Sequence, residues 1–179
     1  YTLQEVVTAD GYVKATDIEF TLTGTNSEGK KENQHIDMTD KIVDVVKNDV
    51  NDKAVKGATL QVVDKDGTVV DKWTTDGKAR KVKGLVEGQA YTLQEVEPAE
   101  GYVKAADIQF TVSGADKEGS KVDQHITMID KIVDMSKIDV GGKEVERAEI
   151  QLVDKEGNIV DKWTSGKEAH KIKGLEEGK

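Results

Sequence analysis

The sequence predicts an all-β protein built from tandem small β-sandwich units of about 90 residues. Three observations carry that prediction. The first is self-similarity: GYVKATDIEF at Gly11 returns as GYVKAADIQF at Gly101, QHIDM at Gln34 as QHITM at Gln124, and DKWT at Asp71 again at Asp161, each displaced by 90 residues. Laid over one another without a gap, residues 1–89 and 91–179 agree at 52 of 89 positions. The second is period-two alternation of apolar and polar residues, rich in β-branched side chains, with few helix signals. The third is turn chemistry, Gly, Asp and Asn clusters punctuating the alternating runs about every 8–12 residues.

Each element follows from these rules. YTLQEV, at Tyr1 and again at Tyr91, reads as a strand, and DIQFTV at Asp107 and HITMID at His125 read likewise. VKGATLQVVD from Val55 and TVVDKW from Thr68 flank DKDG at Asp64–Gly67, as two strands flank a hairpin turn. DKEG at Asp154–Gly157 repeats that turn, and GLVEGQ and GADKEGS mark loops. Asp64, Asp66 and Asp71 superficially suggest a calcium loop, but a helix–loop–helix site needs a longer ligand run closed by a Glu; plain turn residues are the expectation.

Composition narrows the function classes. The chain has 179 residues and no cysteine, so neither disulfides nor thiolate metal sites can staple a small sandwich. A net charge of −9, with both signs interspersed, argues against nucleic acid. No apolar run approaches the roughly 18 residues of a membrane span, and the first residues form no signal peptide.

Strand parity places three charged residues where apolar ones belong. In YTLQEV, Tyr91, Leu93 and Glu95 share a face; in HITMID, Ile126, Met128 and Asp130 do; in VDVVKND, Val43, Val45 and Lys47 do. Burying any one unpaired costs several kcal/mol. A single charged residue of this kind commonly sits at a strand end and reaches solvent. Three of complementary chemistry in one unit point instead to a buried cluster that loses its charges by reacting. Desolvation turns lysine into a neutral amine and keeps carboxyls protonated, and amine and acid can condense to an amide. A second carboxyl, Glu95, then polarises the carbonyl and shuttles the proton. Lys47 to Asp130 is the expected isopeptide bond, with water as leaving group.

On these residues the sequence resembles the collagen-adhesin B-type repeat domains of Gram-positive surface proteins and pilins, and is most similar to the fibronectin-binding-protein domain split to make the SpyCatcher and SpyTag pair. The reactive-lysine segment of that family matches Lys47 in VVKNDVNDKAVKGATLQV and Lys137 in MSKIDVGGKEVERAEIQL. Its glutamate segment matches Glu95 in YTLQEVEPAEGY and Glu5 in YTLQEVVTADGY; its acceptor segment matches Asp130 in HITMID and Asp40 in HIDMTD. Thr8 stands where the family usually has proline, kept at Pro98, and the acceptor is Asp where many relatives use Asn. The resemblance implies Ig-like or prealbumin-like sandwiches, self-formed Lys–Asp bonds assisted by Glu, an extracellular location on the cell wall, and no cofactor or metal.

The family order of segments divides the chain. Residues 1–41 hold the second half of a unit, 42–46 a short connector, 47–131 a complete unit, 132–136 a second connector and 137–179 the first half of another. Lys137 is expected to reach Asp40 under Glu5, the two halves being completed by a neighbouring copy head-to-tail. The chain is either a two-unit window of a longer array or a permutation built to polymerise. A bond from first strand to last encloses nearly a whole unit; by analogy with disulfide loops it contributes about 4–5 kcal/mol. The favoured function is a stiff stalk or fibre repeat of a bacterial surface protein. The alternative is an adhesive module for host matrix proteins, against which the polar, aromatic-free loops TGTNSEGKKEN and SGADKEGSKVD weigh. An enzyme acting on external substrates is not expected. His35 and His125 occupy one repeat position, His170 stands alone, and no nucleophile or ligand cluster accompanies them. Trp73, Trp163, Tyr12 and Tyr102 read as packing.

Overall fold

The computed structural model describes residues 1–25, 27–114 and 121–178, and every regular element among them is a strand. In chain order these are β1 (Thr2–Leu3), β2 (Ile18–Glu19), β3 (Val43–Asp49), β4 (Lys56–Asp64), β5 (Val69–Asp76), β6 (Arg80–Lys81), β7 (Ala90–Glu97), β8 (Ile108–Thr111), β9 (Gln124–Asp130), β10 (Asp134–Met135), β11 (Glu149–Val153), β12 (Ile159–Thr164) and β13 (His170–Lys171). The predicted strands from Val55, Thr68, Tyr91, Asp107 and His125 are β4, β5, β7, β8 and β9. The loop GADKEGS lies largely outside the described residues. No helix among the described residues is long and apolar enough to cross a membrane.

The middle unit is a two-sheet sandwich. One sheet runs β5–β4–β7–β8 and the other β6–β3–β9. Their inner faces meet in a core of Val43, Val45, Leu60, Val62, Leu93 and Met128, with Val82, Leu85 and Ile126 around them. β3 and β9 pair in parallel, Val43 opposite Gln124 through Asp49 opposite Asp130, so the first and last strands of the unit are neighbours. β3 starts at Val43, inside the stretch 42–46 that the sequence assigned to a connector. Val43 and Val45 are buried in the core, and their alternation with half-exposed residues extends the strand.

DKDG is a hairpin turn. Asp64 accepts through Oδ1 from the Asp66 and Thr68 amides at 2.9 Å, and Gly67, at φ +79°, supplies the left-handed step. Asp154 makes the matching bond to the Asn158 amide at 2.8 Å. Of the three carboxylates that suggested a calcium loop, Asp64 caps this turn, Asp66 pairs with Lys65 and Asp71 with Arg80.

The flanking segments repeat strand pairings of the middle unit. Leu3 pairs with Ile18 in β1–β2 as Leu93 pairs with Ile108 in β7–β8. Leu152 pairs with Asp161 in β11–β12 as Val62 with Asp71 in β4–β5, and Met135 with His170 as Val45 with Arg80. The copies are less covered than the originals: Leu3 is 36% exposed where Leu93 is 0%, and Tyr1 78% where Tyr91 is 6%. The tryptophans pack as expected. The Arg80 guanidinium lies over Trp73 and bonds Asp71; at the equivalent place His170 stacks on Trp163 and bonds Asp161 at 2.9 Å.

Candidate functional site

Strand parity decides what enters the pocket. On β3 the buried positions are Val43, Val45, Lys47 and Asp49; on β7, Tyr91, Leu93 and Glu95; on β9, Ile126, Met128 and Asp130. Lys47 is 4% exposed, and Glu95 and Asp130 1% each. Lys47 lies opposite Met128 in the parallel ladder, so its side chain runs diagonally along the shared face to the next inward position, Asp130. Glu95 reaches the same point from the opposite sheet.

The Lys47 Nζ donates a hydrogen bond to Asp130 Oδ1, and Glu95 Oε1 lies 3.0 Å from the same nitrogen. Glu95 Oε2 accepts from the Ala105 amide at 2.6 Å, which fixes the carboxyl plane. One potential cation therefore faces two acids in a dry pocket, and the surplus negative charge is costly there. Burial, reinforced by Glu95 and opposed by Lys47, pushes the Asp130 carboxyl up to about 6. Two buried oxygens, Glu95 Oε1 and Asp130 Oδ2, accept no hydrogen bond. Both orphaned oxygens belong to the two acids that face Lys47.

Two further groups lie near the cluster. Burial, with Asp49 and Asp130 nearby, holds the Tyr102 phenol above its ordinary value. Asp49, which the sequence reading passed over, caps the turn after β3 by accepting from the Asn51 and Lys53 amides. Its signal was present, an inward parity position on the same strand as Lys47.

The split-unit residues are elsewhere. Asp40 and Lys137 are both exposed, and no ion pair joins them. Glu5 is nonetheless already oriented: its Oε2 accepts from the Ala15 amide at 2.8 Å, as Glu95 does from Ala105. His125, on β9, is bonded to Asp44 at 2.7 Å, and His35, outside the strands, to Asp37 at 2.9 Å. Asp44 raises the exposed His125 imidazole above its ordinary value. Among the described residues no group of His, Cys, Asp and Glu has the arrangement of a metal site.

Residues 41–127 match the family model described as SpaA, prealbumin-like fold domain. The middle unit has a prealbumin-like fold. Among solved structures, the chain is similar to BcpA, the major pilin subunit of Bacillus cereus, at 30% identity over 56% of this chain and 31% of that one, with a TM-score of 0.44. It is also similar to the Bacillus anthracis TIE protein, at 20% identity over 96% of this chain and 34% of that one, with a TM-score of 0.41. The shaft pilin SpaA from Lactobacillus rhamnosus GG matches at 15% identity over 73% of this chain and 63% of that one, TM-score 0.37. The chain spans about a third of the length of the first two proteins. No curated protein sequence matches it.

Proposed function

We propose that the middle unit is a self-crosslinking structural repeat, part of a stalk or fibre on a Gram-positive cell surface, closed by an isopeptide bond between Lys47 and Asp130. The observation that carries this reading is the buried contact of Lys47 with Asp130 beneath the orphaned oxygen of Glu95. The prealbumin-like match over residues 41–127 supports it.

The chemistry balances without a cofactor. The Lys47 amine attacks Cγ of the protonated Asp130 carboxyl; Glu95 takes a proton from the attacking nitrogen and gives one to the departing hydroxyl. The C–O bond breaks, water leaves and Glu95 recovers its starting state. Holding the reactants in contact supplies most of what an intermolecular condensation lacks. The reaction turns over once.

The two half-units are complementary in the same register. A copy's Lys137 then meets another copy's Asp40 beneath Glu5, either in a longer array or head-to-tail between chains.

Mechanically, a pull entering at Val43 passes along β3 to Lys47, across the amide to Asp130 and out, bypassing β4 to β8. Pulled from its ends in single-molecule force spectroscopy, the full chain is expected to show no extension from the middle unit. Lys47→Ala is expected to add one event of roughly 250–300 Å, the reach of the 83 residues otherwise locked between the two side chains. Such an event in the unsubstituted chain would overturn the stalk reading.

A further inference from the structure

The segment Val103–Ala106, following β7, faces two ways. Extended backbone alternates its amides, and here the alternation separates two partners. Inward, the Val103 amide donates to the Lys131 carbonyl at 2.9 Å, immediately after the acceptor Asp130, and the Ala105 amide donates to Glu95 Oε2 at 2.6 Å. Outward, the Lys104 amide donates to the Leu175 carbonyl at 3.0 Å, the Glu177 amide donates to the Lys104 carbonyl at 2.9 Å, and the Ala106 amide donates to Glu177 Oε2 at 3.4 Å. Leu175 and Glu177 belong to the next unit. Gly101, at φ +80°, opens the strap, and a Cβ there would come within 3.0 Å of the Lys171 side chain, again in the next unit.

The first junction repeats every part. Val13 donates to the Lys41 carbonyl and Ala15 to Glu5 Oε2, while Lys14 exchanges bonds with Leu85 and Glu87, and Thr16 donates to Glu87 Oε2 at 3.0 Å. Two junctions thus link the glutamate carboxyl and the carbonyl of the residue after the aspartate to the same loop of the following unit.

We infer that docking of the following unit on residues 103–106 positions Glu95 and Asp130, so that a unit crosslinks fastest once its successor has folded against it. Leu175 acts through the strap, and Glu177 through the strap and through its ion pair with Lys131 at 2.9 Å, as positioning groups that touch none of the reacting atoms. The inference rests on the proposed Lys47–Asp130 bond, and its consequence is ordered maturation along an array: a unit whose successor is unfolded stays open and extensible.

The test follows mass loss with time after cell-free synthesis of the full chain, with peptide mapping to assign the Lys47–Asp130 bond. Glu177→Pro removes both the amide donor to Lys104 and the carboxylate acceptor of Ala106, and is expected to slow the bond about tenfold, the scale of an outer-shell positioning loss. Glu177→Ala, which removes only the carboxylate, is expected to slow it less than Glu177→Pro does, because the Glu177 amide still donates to the Lys104 carbonyl. Glu177→Gln keeps an acceptor and should restore the original rate. Hydrogen-exchange protection of β4 and β7 equal to that of the unsubstituted chain separates positioning from unfolding. Equal rates in all four proteins would overturn the coupling and leave the bond intact as a reading; no mass loss in any of them would overturn both.

Discussion

Glu95→Gln is expected to leave the middle unit folded and uncrosslinked, with bond formation slowed by about 10²–10⁴-fold, the usual contribution of a positioned acid–base group. Glutamine has nearly the shape of glutamate, and its carbonyl can still accept the Ala105 amide that holds Glu95 Oε2 at 2.6 Å. What it cannot do is take a proton from the Lys47 nitrogen, 3.0 Å from Oε1 in the native chain, and hand it to the leaving oxygen. A time course of intact mass reads the effect directly. Retention of the unsubstituted rate would remove Glu95 from the chemistry, leaving it a structural partner of Lys47.

Acid is expected to slow the reaction by about tenfold per pH unit below 6, hence about 100-fold at pH 4, with little dependence just above 6. The reactive form, neutral amine beside neutral acid, carries the same number of protons as the ion pair of ammonium and carboxylate. Interconverting the two therefore costs nothing in pH. Below about 6, where burial places the Asp130 carboxyl, a further proton gives ammonium beside acid, which cannot react. Unfolding does not account for such a loss at this group. Its folded value lies above the ordinary 3.8, so the fold favours the protonated form; that contribution is present below about 4 and disappears as pH rises through 6. A rate that rises on acidification would contradict the assignment.

Period-two parity made the buried cluster of Lys47, Glu95 and Asp130 legible. Lys47, Glu95 and Asp130 each stand at i+2 from buried apolar residues, and the strands bury alternate positions as the pattern requires. The 90-residue repeat likewise foretold that β1–β2 and β11–β12 would copy the registers of β7–β8 and β4–β5. Long-range pairing was not legible. Nothing in local alternation says that β3 lies parallel to β9, because that ladder depends on closing a long loop. The strap at Val103–Ala106 was hidden for a different reason. It acts through backbone amides, which leave no side-chain signature, and its only trace is GYVKA recurring at Gly11 and Gly101. The connector expected at residues 42–46 shows the opposite error, in which segment order was used where the alternation of Val43 and Val45 already extended the strand.

The central claim is a covalent bond between Lys47 and Asp130, and the most direct measurement is the mass of the denatured chain followed by peptide mapping. The expected result is a chain lighter than its sequence by one water for the middle unit, with Lys47 and Asp130 recovered in a single branched peptide. A mass equal to that of the sequence, with those residues in separate linear peptides, would contradict it.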